Sequence, residues 1–259
     1  MNKIKFIVLF LLVSNFSFGQ NYISHTYLRV PRQNMSEFLT LHKEMSEISH
    51  GENRLYKGHF VYAHRHASNY SLVVVNTFDN PEDVGEDQSL ARTNLRNHSN
   101  SLNEDDKKSF NERWSRWTNM YLEGHYDEIR VRVKDSGFQS EDFDPTNRSV
   151  VVVSWYNPKW SNLQEFRKIF EEQKFGIEKE LGNSQLALSS THYSGRSPNF
   201  FAAMWYPSWE AFAKNETELD RVQANSSDGG RLWEIGGAHW DEILVSVGMM
   251  LEGKFVVAN

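Results

Sequence analysis

Read as apolar and polar positions, the chain runs through one series of elements twice. Tyr22 to Val30 predicts a strand, because Tyr, Ile, Thr and Val suit a pleated surface. Pro31 ends it. Phe38, Leu41, Met45 and Ile48 then follow at spacings of three, four and three, which is one face of a helix. Asn34 and Glu37 resemble a capping box at its start, and Gly51 and Asn53 stop it. Tyr56 to His66 and Tyr70 to Phe78 predict two strands joined by a turn at Ala67-Ser68-Asn69. Gly85 to Lys108 is polar and reads as a surface excursion. Phe110, Trp114, Trp117 and Tyr121 restore a helical stripe, and Gly124 to Val133 predicts a fourth strand.

The second half repeats the order. Val150 to Tyr156, with four consecutive valines, predicts a strand apolar enough to be buried on both faces. Ser161 and Gln164 repeat the cap spacing, and Phe166, Ile169, Phe170 and Ile177 carry a helix face. Gln185 to His192 and Phe200 to Tyr206 predict the next two strands. Trp209, Phe212, Leu219 and Val222 line one side of a second helical region, which Asp228-Gly229-Gly230 breaks. His239 to Val247 closes the series.

The fourth strands are near copies. Residues 124–133 read Gly-His-Tyr-Asp-Glu-Ile-Arg-Val-Arg-Val, and residues 238–247 read Ala-His-Trp-Asp-Glu-Ile-Leu-Val-Ser-Val. Side chains alternate along a strand, so His125, Asp127, Ile129 and Val131 share one face, and Tyr126, Glu128, Arg130 and Arg132 the other. The Ile-Val face is expected under helices. The mixed aromatic and charged face is expected to look into the space between two sheets.

Strand, helix, strand, strand, helix, strand is the ferredoxin-like order. The expected fold class is α+β, with two tandem ferredoxin-like (βαββαβ) units. In its element order and internal repeat, over residues 22–247, the chain resembles the dimeric α/β-barrel superfamily. That superfamily includes antibiotic-biosynthesis monooxygenase-like and NIPSNAP-like proteins. The resemblance implies two units with sheets paired face to face, here fused into an intramolecular dimeric α/β-barrel-like pseudo-dimer. The expected organisation is a signal peptide over 1–19, a first unit over 20–133 and a linker over 134–148. A second unit over 149–248 and a tail over 249–259 complete it.

The leader is expected from Lys3 and Lys5, an apolar run from Ile7 to Val13, and small residues Ser17 and Gly19 before Gln20. That run is too short to span a bilayer. It points to an exported protein of the periplasm or the medium, with no membrane span after cleavage. Without Cys, the chain has no lipobox, disulfide or thiol chemistry. Removing residues 1–19 leaves 26 basic against 34 acidic side chains, a net charge of −8. Such a balance argues against nucleic acid and anionic membrane surfaces as partners. Nothing in the pattern argues for a protein partner.

Three groups of residues could carry chemistry. The repeated pairs His125/Asp127 and His239/Asp241 are candidate catalytic residues, because a carboxylate can orient an imidazole and raise its basicity. The plain alternative is a structural tie at the start of each strand. His64 and His66 point the same way along one strand and could share a metal if His25 or Glu128 joined them; otherwise they are histidines beside a turn. The third group lines the inter-sheet space: His25, Tyr126, Glu128, His192, Trp240 and Glu242 are candidate ligand contacts. Some members of the resembled superfamily bind haem or oxidise polycyclic aromatics. Trp114, Trp117, Trp205, Trp233 and Trp240 would suit an aromatic ligand, although they serve a core equally well. No haem-ligand motif, phosphate loop, nucleophile elbow or paired-Cys spacing is present, so the cofactor stays unknown. The expected function is binding of a small molecule in or beside the inter-sheet cavity. The alternative is a cofactor-independent or metal-assisted oxygenase-like or isomerase-like enzyme using a His/Asp pair. Binding is preferred because the polar residues form no complete catalytic set.

Overall fold

The computed structural model describes residues 21–66, 69–224 and 229–259. The expected leader, the Ala67-Ser68 turn and Asp228 lie outside the described residues. Strands β1 (Tyr22–Leu28), β2 (Gly58–His66), β3 (Leu72–Phe78) and β4 (Tyr126–Arg132) come from the first half. Strands β6 (Val150–Tyr156), β7 (Leu186–Ser194), β8 (Phe200–Tyr206) and β9 (His239–Leu251) come from the second. Short strands β5 (Phe138–Gln139) and β10 (Lys254–Val257) attach to β7 and β9.

The eight long strands form one closed antiparallel barrel in the order β9-β2-β3-β1-β4-β7-β8-β6, with β6 returning to β9. This corrects the expected α+β pair of tandem ferredoxin-like units with opposed sheets. Each half keeps the strand order fourth, first, third, second, but the sheets join edge to edge. β4 hydrogen-bonds β7 and β9 hydrogen-bonds β2 along their lengths. The physical reason is the sheet edge: an open edge strand leaves a row of unpaired N–H and C=O groups, and closure satisfies them. Irregular pairing between Val61 and Tyr62, and between Ile129 and Arg130, helps the sheet curve.

Helices cover the outside. In the first half these are α1 (Met35–Ser49), α2 (Asp83–Ser101) and α3 (Glu104–Leu122). The expected surface excursion over 85–108 is therefore most of α2 and the start of α3. α2 is polar because it buries only Asp87, Leu95 and Ser99. In the second half α4 (Leu163–Phe170) runs through a π-turn (Glu171–Phe175) into α5 (Gly176–Leu181), followed by α6 (Trp209–Ala224) and α7 (Gly229–Gly236). The expected capping boxes do not form. A 3-10 turn precedes both α1 and α4, and neither Asn34 nor Asn162 makes a side-chain cap bond. Glu37 instead pairs with Arg116 of α3. Among the described residues, no helix is long and apolar enough to cross a membrane.

Alternation along every strand makes two cores. Inward residues such as Tyr27, Val73, Val153, Trp155 and Trp205 fill the lumen. Outward residues pack under helices: Leu28, Val61 and Val74 meet Phe38 of α1 in the first half, and Phe200 and Ala202 meet Phe166 and Phe170 of α4 in the second.

Candidate functional site in the helical layer

A recess of about 410 Å³ lies under α1, α2 and α3, outside the barrel wall. Its floor is the outward face of β1 to β4, carrying Ser24, Thr26, His59, Asn76 and Asp127. Its roof carries His42 and Met45 from α1, Leu95 from α2, and Trp114, Trp117 and Tyr121 from α3. The volume is in the usual range for small-ligand pockets, about 300–1,000 Å³.

A chain of hydrogen bonds crosses this recess. Trp117 Nε1 lies 3.4 Å from His42 Nδ1, His42 Nε2 lies 3.2 Å from His59 Nε2, and His59 Nδ1 lies 2.7 Å from Asn76 Oδ1. An indole N–H only donates. His42 therefore accepts at Nδ1 and donates from Nε2, and His59 accepts at Nε2 and donates from Nδ1 to the amide oxygen. The order of donors fixes both tautomers as neutral. Burial holds both rings uncharged: it pushes His42 well below the usual imidazole range, with His59 adding repulsion, and it pushes His59 down to about 4 against a raising bond from Asn76. Nearby, Arg54 clamps Asp87 through two 2.7 Å bonds and donates to Ser49, joining the end of α1 to α2.

His125 and Asp127 sit at the rim of this recess. His125 Nδ1 is 2.7 Å from the Leu122 carbonyl, so that nitrogen is the donor, and Nε2 faces Asp127 at 3.4 Å. Asp127 also accepts from Thr26 across the β1–β4 pair at 2.6 Å. The second half repeats this tie: His239 lies 3.1 Å from Asp241, which accepts from Ser154 at 2.6 Å. There it stands beside a packed aromatic cluster, with His239 stacked on Tyr156.

The lumen gathers His25, Tyr126, Glu128 and Glu242. Arg130 is fully buried and lies 3.3 Å from Glu128, 2.9 Å from Ser190 Oγ and 3.1 Å from the Pro198 carbonyl, over the rings of Trp155 and Phe201. Gly195 permits the covering loop: at φ +119°, it approaches Glu128 so closely that a Cβ would lie 2.6 Å from the Glu128 Cβ. His25 Nδ1 is 3.7 Å from Glu128 and 3.3 Å from the Tyr27 hydroxyl. Tyr126 stacks on Tyr27, and Glu242 accepts from Tyr70. Burial raises the Glu242 carboxyl above its ordinary range, with Glu128 adding repulsion. Trp240 stacks on Trp155 and is 41% exposed, and His192 is half-buried with a buried, unpartnered Nδ1. His66 is exposed at the end of β2, and His64 packs against Tyr70. No third ligand joins them, and no group of three metal-binding side chains occurs among the described residues.

His42, His59 and Asn76 were not singled out from sequence. A signal existed: His42 follows Phe38 by one helical turn on the same buried face, where the second half has Phe170.

No protein-family model and no curated protein matches the chain by sequence. Solved structures match in shape. A monooxygenase-like protein from Lactobacillus acidophilus has a TM-score of 0.53 at 11% identity, covering 93% of this chain and 100% of its own. An anthrone oxidase-like protein reaches 0.60 at 8% identity, covering 93% and 97%. A chlorite dismutase from Candidatus Nitrospira defluvii reaches 0.54 at 9% identity, covering 89% and 92%. At these identities the likeness shows the fold alone, the dimeric α+β barrel. The Nε2 atoms of His42 and His59 meet each other, and that of His125 faces a carboxylate.

Proposed function

We propose that the chain binds a small, mainly aromatic molecule bearing a hydroxyl group in the recess under α1, α2 and α3. One observation carries this reading: two neutral imidazoles meet through Nε2 atoms 3.2 Å apart inside a recess of about 410 Å³. A hydroxyl both donates and accepts. Inserted between the rings, it takes the His42 N–H and gives its own proton to His59, leaving every partner satisfied. Apolar walls from Met45, Leu95, Trp114 and Trp117 would hold the ring system. The monooxygenase-like and anthrone oxidase-like fold neighbours are consistent with a small-molecule ligand.

The test uses 2-naphthol, read by quenching of Trp114 and Trp117 fluorescence. Saturable binding is expected in the wild type. It should fall at least tenfold in the variant His42→Phe/His59→Ala/Asn76→Met. Equal binding in both proteins would overturn the reading.

A second reading, catalysis at the rim, draws on the position of His125 and Asp127 beside the same recess. It needs His125 as a base, yet the nitrogen facing Asp127 is the one that would take the proton. The recurrence of the tie at His239 and Asp241 favours the structural role. We also infer that the halves are a tandem fusion. β1, β2 and β3 stand at a constant offset of 128 residues from β6, β7 and β8, as Leu72 stands to Phe200.

A further inference from the structure

We propose that the barrel lumen is a second, separate site, which takes one monocyclic phenol. The lumen holds a cavity of about 120 Å³ lined mostly by apolar and aromatic side chains. Eight-stranded barrels are just wide enough to be filled by side chains or to hold one small ligand. Apolar cavities of about 150 Å³ accept benzene, so this one, at about 120 Å³, admits a single ring at most. Protein interiors leave few voids larger than a water molecule. The wall of this one includes Ala203, a small residue in the middle of β8, flanked inward by Phe201 and Trp205 and paired with Val153 and Leu188. The connection between β5 and β6 brings Phe143 and Pro145 onto the wall.

The polar end is His25, a buried residue on the cavity wall. The polar contacts of His25 with Tyr27 and Glu128 both run through Nδ1 and leave the Nε2 edge for a ligand. If Nδ1 carries the proton toward Glu128, Nε2 needs a donor. If Nδ1 accepts from Tyr27, Nε2 needs an acceptor. A hydroxyl serves either tautomer, whereas an ammonium serves only one. A carboxylate would also stand close to Glu128. The ligand class is therefore a neutral phenol with its ring between Trp155, Phe201 and Trp205.

The experiment titrates p-cresol and toluene into the wild-type protein while long-range 1H–15N spectra follow the imidazole nitrogens. Expected are saturable shifts at His25, whether or not His42 and His59 also move, and at least tenfold weaker shifts at His25 with toluene. Ala203→Leu should remove p-cresol binding while keeping the wild-type circular dichroism spectrum. If that variant does not fold, Leu244→Phe serves the same purpose from β9, and nuclear Overhauser contacts between p-cresol and the Ala203 methyl test the location in the wild type. Absence of saturable shifts at His25, toluene binding as tightly as p-cresol, or p-cresol shifts confined to His42 and His59 would each overturn the proposal. The last outcome would leave the helical-layer site standing, so the two readings fail separately.

Discussion

The same outward positions carry opposite chemistry in the two halves. His42, His59 and Asn76 of the first half correspond, at the offset of 128 residues, to Phe170, Ala187 and Met204 of the second. In the second half these join a packed cluster in which the rings of Phe166, Phe170 and Phe200 lie 5.0–5.8 Å apart. In the first half they form a hydrogen-bonded chain across a recess. The backbone frame is shared, so the fold does not require the polar chain. An apolar filling satisfies the same frame, and a buried polar network costs desolvation that only complete hydrogen bonding offsets. The difference marks the first half as the one shaped to receive something.

The sharpest way to break this comparison is to exchange single residues. Phe170→His places an imidazole among Phe rings with no partner, and about 3–5 kcal/mol of stability should be lost in urea unfolding. A loss under about 1 kcal/mol would mean that the second-half cluster is not tightly packed. Acid titration should show the next largest effect. Unfolded imidazoles take protons near pH 6.5, while folded His59 refuses them until about 4. In that window the unfolded state binds more protons, so stability falls as pH drops through it, by on the order of 3 kcal/mol. The variant His42→Phe/His59→Ala/Asn76→Met should lose this slope relative to the wild type. A retained slope would mean that the acid sensitivity belongs to other groups.

His59→Ala alone should cost about 2–3 kcal/mol, because it strands the His42 N–H and opens space. The triple variant should recover most of that loss. Thermal unfolding compares the two, and a triple variant less stable than the single one would contradict the equivalence of the halves. Thr26→Val and Ser154→Ala should each cost about 1 kcal/mol, the usual worth of one hydrogen bond. The matching cost would show that the His/Asp ties at Asp127 and Asp241 do the same structural job.

The order of strands and the two faces of β4 could be read from alternation alone. Glu128 and Arg130 lie inside the barrel, and Asp127 and Ile129 lie toward the helices, as period two demands. Barrel closure could not be read, because the pairings β4 with β7 and β9 with β2 are long-range and leave the same apolar pattern as two separate sheets. The α2 and α3 segment was obscured for a different reason. α2 buries so few apolar residues that its composition resembles a loop. His42 is inconspicuous in the sequence because apolar spacing does not mark a polar residue on the buried face. Its place becomes informative only when set against Phe170.

The most direct measurement is a long-range 1H–15N spectrum of the imidazole nitrogens at pH 7, with and without 2-naphthol. Both His42 and His59 should be neutral, His42 protonated at Nε2 and His59 at Nδ1, and both Nε2 signals should move in a saturable way while His25 stays fixed. Two Nε2 signals that remain unmoved at saturating 2-naphthol, or a charged ring at either position, would contradict the account.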